Sequence, residues 1–290
     1  MFAVVTFFVL FPSPGQFVRH LSRLRNLDAI VEPDAPQLAE WEEELQDWAT
    51  SYRARLEAGL SEEAKTVGDG DVPPVNEMQR RVQGMVLERV RYAWDWDTWG
   101  SADYIPTVAE MFAAAAGDPH GELREDCDGR AVLAASLMRR MGYKADLVTD
   151  LRHVWVKTPQ GEWMGPGKAK AMVSTPEGTR LNWAVALGNV PMSLSYGISV
   201  FPLARELVIL AAAYVLLLHT RTPWRTALLA AVLLVQGLLF MRCGVFSPQQ
   251  IAGFGRSWPA TIGLLHIVGG ICILLVVSHR ARLAAPRARA

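Results

Sequence analysis

Asp126-Cys127-Asp128-Gly129-Arg130 is followed, 26 residues after the cysteine, by His153-Val154-Trp155. A histidine within hydrogen-bond reach of a cysteine can take the thiol proton as sulfur attacks a carbonyl, then return it to the leaving group. Only the thiolate is the nucleophile, so this chemistry turns on what sets the Cys127 pKa. Taken singly, a buried cysteine is a small hydrophobe and a histidine is a core or strand-surface residue. Flanking Asp126 and Asp128 argue against an apolar pocket around the sulfur. A zinc site drawn through His120, Cys127 and His153 matches no structural zinc spacing.

The two residues need rigid elements to hold them. Ala131, Leu133, Ala134, Leu137, Met138 and Met141 recur at helical spacing after Cys127, and Gly142 suits the position just past a helix end. Asp126 is then the N-cap, with Cys127 in the first turn. Unpaired N–H groups and the positive end of the helix dipole there favour the anion, as would a protonated His153, while Asp126 and Asp128 oppose it. The expected balance is a thiol ionised well below the ~8.5 of a free cysteine. Tyr143–Val148 alternates as a strand, Leu151–Lys157 reads as a second strand carrying His153, and Pro159-Gln160-Gly161 turns into a third at Glu162–Met164.

At these residues, over roughly 80–165, the chain resembles the transglutaminase-like superfamily, in particular its bacterial cysteine proteinases. Tyr92-Ala93-Trp94-Asp95 and Trp99-Gly100-Ser101-Ala102-Asp103-Tyr104-Ile105-Pro106-Thr107 resemble the segment before the cysteine helix. Asp126-Cys127-Asp128 matches the Asp-Cys-acidic core of the nucleophile motif, and His153-Val154-Trp155 matches the histidine strand. The resemblance implies a papain-like α+β domain, its cysteine helix packed on an antiparallel sheet. It implies acyl transfer, or amide or peptide hydrolysis, through a Cys127 thioester with His153 as general base, on a protein or peptide substrate and without a cofactor or metal.

One feature departs from the family. Its pattern puts an aspartate or asparagine just after the tryptophan of the next strand, to orient the histidine, and here that stretch reads Trp163-Met164-Gly165-Pro166-Gly167-Lys168. Asn182, in Arg180-Leu181-Asn182-Trp183, is the leading substitute, with Asp150 and Glu162 as the others. The absent orienter also motivates a second reading, a catalytically inactive transglutaminase-like binding module at the membrane surface.

The last third differs from the rest. Leu207–Leu218, Ala227–Met241 and Ala260–Val277 are apolar runs, the first reaching 21 residues if extended back to Ile198. They read as an all-α membrane region of three helices. Their interiors lack Asp, Glu and Lys, which argues against a transport pathway. Arg280, Arg282, Arg287 and Arg289 place the tail in the cytoplasm, and three crossings then place the preceding residues outside. Cys243 and Cys272 fall at or within the apolar runs, leaving Cys127 as the only cysteine of the soluble part.

The expected organisation is therefore a short apolar segment over 1–14, which is too short for an ordinary span, and a helical extension and linker over 15–75. A transglutaminase-like domain follows over 76–195, then three transmembrane helices over 196–279 and a basic tail over 280–290. Leu38, Trp41, Leu45, Trp48, Tyr52 and Leu56 mark an amphipathic helix in the extension, and 67–74 reads as linker. Trp94, Trp96 and Trp99 read as core. With 29 basic and 29 acidic residues and no basic stripe, nothing points to nucleic acid. The lipid bilayer is the expected partner besides substrate, and the sequence leaves the oligomeric state open.

Overall fold

The computed structural model describes residues 1–58, 73–150, 153–165, 170–175, 178–243 and 258–283. Leu151 and Arg152, residues 67–72 of the expected linker and the basic tail beyond 283 lie outside the described residues. The chain is mixed helix and sheet, and it divides into two compact units, Gly15–Asn189 and Met1–Pro14 with Val190–Ala290.

The first unit is built around one helix. Pro14–Arg25 (α2, with α1 below), Ala39–Glu57 (α3) and Val75–Arg89 (α4) precede a short strand, Val90–Tyr92 (β1). Asp95–Thr98 (α5), Val108–Gly117 (α6) and Leu123–Glu125 (β2) lead into Cys127–Arg140 (α7). β1 and β2 pair in parallel, Val90 opposite Leu123 and Tyr92 opposite Glu125, which carries the chain directly to Asp126. The sequence pattern suggests a helix running on through Ala93, but the helix ends at Arg89 and β-branched Val90 opens this strand instead.

α7 is buried all round, not on one stripe. Ala131, Val132, Leu133, Ala134, Ala135, Ser136, Leu137 and Met138 are all at 0% exposure. The sheet covers one side, and Trp41, Leu45 and Ala49 of α3 join the same core, so the extension and the domain share one interior. At the far end Arg139 and Arg140 reach Asp28 and Glu42, at 2.5 and 2.6 Å.

The sheet is antiparallel, of five strands in the order β5-β4-β3-β6-β7. These are Asp146–Thr149 (β3), Val154–Thr158 (β4), Gly161–Trp163 (β5), Met172–Thr175 (β6) and Gly178–Leu181 (β7). The first three match the three expected strands to within a few residues. β6 and β7 fall in a stretch that shows no period in the sequence. Trp155 on β4 is fully buried, and Gly165 lies against its ring so closely that a Cβ there would overlap it. Met164 beside it adopts a left-handed backbone, φ 64°, which non-glycine residues seldom do.

The second unit holds Phe2–Leu10 (α1), packed along Leu203–Leu217 (α9), together with Trp224–Cys243 (α10) and Trp258–Leu283 (α11). Trp183–Val200 (α8) carries the chain from one unit into the other. Among the described residues, α10 and α11 are the two single helices long and apolar enough to cross a membrane. They pack through small residues: a Cβ on Gly237 would stand 2.7 Å from the Gly263 carbonyl oxygen, and one on Gly263 2.6 Å from that of Gly237.

The first expected span is not one helix. α8 stops at Val200 and Pro202 caps α9, because proline has no N–H to continue the ladder and disfavours helix in the residue before it. α9 has 15 residues, about 22 Å at 1.5 Å each, against roughly 30 Å of hydrocarbon. Arg242 bridges the break, donating to Glu206 at 2.6 Å and to the Phe201 and Ile198 carbonyls at 2.7 and 3.1 Å.

Candidate active site

Asp126 caps α7 as its sequence position suggests. Its carboxylate accepts the Asp128 backbone N–H at 2.9 Å, leaving Cys127 as the first helical residue. The half-buried Cys127 thiol donates to Asp128 Oδ1 at 3.2 Å, and its sulfur is hydrogen-bonded by the Val154 backbone N–H. That contact brings the start of α7 against the start of β4, where His153 immediately precedes Val154. The structure therefore brings Cys127 to the His153–Val154 segment.

The β3–β4 connection holds His153 through its main chain. Thr149 pairs with Val154, so Asp150 and His153 stand at the two ends of the connection. Within it the buried Asp150 carboxylate accepts the His153 N–H at 3.1 Å, and the Asp150 N–H donates to the His153 carbonyl at 3.3 Å. Such Asp side-chain bonds to a backbone N–H a few residues on are a usual turn device.

The other proposed orienters are placed elsewhere. Asn182 stands at the end of β7, three strand steps from β4, or about 14 Å at roughly 4.8 Å per step. Its side chain accepts the Val185 N–H at 3.3 Å and so caps α8. Expecting Asn182 beside His153 is thus corrected by the strand order: β7 returns at the far edge of the sheet. Glu162 accepts from Trp155 Nε1 at 3.0 Å and pairs with Lys170. After Trp163, where the resemblance expects an orienting group, the chain presents Met164 and then Gly165 seated on Trp155.

The electrostatics run opposite to the sequence expectation for the thiol. Burial, followed by the negative fields of Asp128 and Asp126, pushes Cys127 well above its ordinary value, and the Val154 N–H only partly offsets this. The helix N-terminus is present, but burial, with two carboxyl groups at the same terminus, outweighs it.

These two belong to a larger acidic group that the sequence reading missed. Asp95 is 4% exposed and accepts the Tyr104 N–H at 2.8 Å. Glu125 is 1% exposed, with Trp99 Nε1 3.5 Å away. Among the described residues Asp95 Oδ1 and Glu125 Oε1 are buried with no hydrogen-bond partner. Burial, with Asp126 adding to it, raises Glu125 to about 9. Burial also raises Asp126 to about 7, though the Asp128 N–H pulls the other way. Ligand atoms of Asp126, Cys127 and Asp128, and of Asp95, Glu125 and Asp126, lie within 4.8 Å of one another, a spacing a cation would accept. The one sequence signal for this burial is in β2, where alternation puts Glu125 on the face of Leu123. Gly129, one turn on, leaves room for the Glu125 side chain.

A carboxyl that titrates at about 9 in the fold and near 4.5 when unfolded makes the fold bind an extra proton between those values. Stability from Glu125 is therefore present below about pH 4.5 and is lost as pH rises toward 9. Glu125→Gln is expected to flatten that decline and to raise the thermal midpoint at pH 8, with little effect at pH 5. Melting curves of both proteins in detergent across this range check it.

No protein family, curated protein or solved structure matches the chain.

Proposed function

We propose that the chain is a membrane-anchored thiol enzyme with a transglutaminase-like domain, performing acyl transfer or amide hydrolysis through a Cys127 thioester with His153 as general base. The observation that carries this reading is the bond from the Val154 N–H to the Cys127 sulfur, which sets the nucleophile at a helix start against the residue that follows His153. A cysteine helix packed on an antiparallel sheet supports the fold part of it.

The chemistry follows from the geometry. In the resting site Cys127 is a neutral thiol held by Asp128. As sulfur attacks the acyl carbon, His153 takes the thiol proton, the C=O π pair moves to oxygen, and N–H groups at the α7 start receive the negative charge. Collapse expels the amine with the proton from His153 and leaves the thioester. Water or an amine, deprotonated by His153, then attacks the thioester carbon, and collapse breaks the C–S bond as the Cys127 sulfur takes the proton back from His153. Asp150 positions the histidine through its main chain.

The direct test uses p-nitrophenyl acetate, a generic acyl donor. The full chain is expected to release a burst of nitrophenolate and carry a hydroxylamine-labile acetyl group on Cys127, with neither in Cys127→Ser. Absence of the adduct would remove the enzyme reading. The raised thiol favours the second reading, a binding module whose cysteine stays protonated.

The arginine-rich tail supports a cytoplasmic C-terminus with the soluble unit outside. That placement requires α9 to cross along with α10 and α11. With the other cysteines changed to serine, Gln160→Cys is expected to react with a membrane-impermeant maleimide in intact cells. Reaction only after lysis would put the soluble unit inside.

A further inference from the structure

We propose that the Gly15–Asn189 unit has a lipid-docking face, formed by the outer side of α2 and the β7–α8 junction, which lies on anionic phospholipid headgroups. Seven large hydrophobic residues of this unit are exposed among the described residues, and five of them, Val18, Leu21, Leu181, Trp183 and Leu187, sit on these two segments. The segments adjoin: just past α2, the Leu27 N–H donates to Thr179 Oγ1 on β7 at 3.2 Å. They are also the two places where the chain leaves the unit for the apolar helices.

The inner sides of both helices are already committed, so the outer sides are fixed in direction. On α2, His20 is buried, and Arg23 donates to Glu110 and to the Ile105 carbonyl at 2.9 and 2.7 Å. Opposite them Val18 and Leu21 are 63% and 43% exposed. On α8, Ala186 is buried in the core, while Trp183 and Leu187, one turn apart, are each 67% exposed.

Charge selects the occupant. No acidic residue occurs in 14–25 or in 178–200, and exposed Arg25 and Arg180 flank the apolar side chains, while Arg19 turns to Tyr104 Oη at 3.3 Å. A tryptophan beside aliphatic residues with arginines at the rim is the composition of an interfacial surface, apolar atoms entering the acyl boundary and guanidinium groups meeting phosphate. The chain supplies the bilayer itself, since α1 ends four residues before α2 begins and α8 leads toward the spanning helices. A second copy would present the same positive charge to this face and is disfavoured.

The test uses the full chain, with its three cysteines changed to serine, reconstituted in vesicles containing phosphatidylglycerol. Val18→Cys, Leu187→Cys and, as a control on exposed α3 surface, Asp47→Cys each carry an environment-sensitive fluorophore. Emission from Val18→Cys and Leu187→Cys is expected to shift to the blue and to be quenched several-fold more than the control by a lipid with a shallow nitroxide. Emission and quenching equal to the control would overturn the proposal. So would a blue shift that disappears when the protein is diluted in lipid, which would assign the face to a second copy.

Discussion

Asp128→Asn is expected to speed alkylation of Cys127 by iodoacetamide in alkaline buffer, where Asp128 is ionised, by about tenfold for each unit the thiol pKa falls. Asp128 accepts the thiol hydrogen at 3.2 Å and its negative field, once its own burial-raised carboxyl has ionised, opposes the thiolate, so the asparagine removes both the charge and the anionic acceptor. Burial remains, and the effect is therefore a partial descent from a high value. The helix N-terminus and the Val154 N–H favour the thiolate once the opposing carboxylate is gone. Rates of iodoacetamide labelling for the two proteins, followed by peptide mass, decide it. An unchanged or slower rate would mean that Asp128 is already neutral when Cys127 reacts.

His153→Ala is expected to lower turnover of p-nitrophenyl acetate by about two to four orders of magnitude while leaving the fold in place, as is usual for loss of a general base. The size follows from the resting site. A thiol held neutral by burial cannot rely on a standing thiolate population at pH 7, so proton removal must accompany attack. His153 is half-buried at a strand start, where its removal leaves the β3–β4 pairing and the Asp150 turn bonds to the main chain intact. Steady-state rates with a melting curve for each protein separate a catalytic loss from unfolding. A rate within a few-fold of the parent in a folded protein would exclude His153 as the base.

The cysteine helix was legible because Asp126, the apolar spacing from Ala131 to Met141 and Gly142 all point to the same helix, and helix signals are local. The histidine strand was legible for the same reason: alternation and the Pro159-Gln160-Gly161 turn define the hairpin from within it. What the sequence could not convey is the order of strands across the sheet. β7 and Asn182 follow β4 closely in the chain, yet the edge position of β7 separates them from His153 by about 14 Å. Pattern reading treated Asp126 as the cap, which it is, and set both acids against the thiolate, but it could not include the burial of Cys127 itself, which raises the thiol most. The burial of Asp95 was invisible for a related reason, since acidic residues ordinarily face water, and for Glu125 the signal was no more than its alternation with Leu123 in β2. In the membrane unit, hydrophobic length alone suggested one span where Pro202 divides the chain into α8 and α9.

The most direct measurement is the rate of Cys127 acetylation by p-nitrophenyl acetate as a function of pH, in the wild-type chain and in His153→Ala, read from the mass of the Cys127 peptide. If His153 removes the thiol proton, the wild-type rate should rise through a first inflection well below the thiol titration and then level, while His153→Ala should lose that step and climb only as the thiolate itself forms. Superimposable profiles in the two proteins would contradict a Cys127–His153 pair and leave the domain without its proposed chemistry.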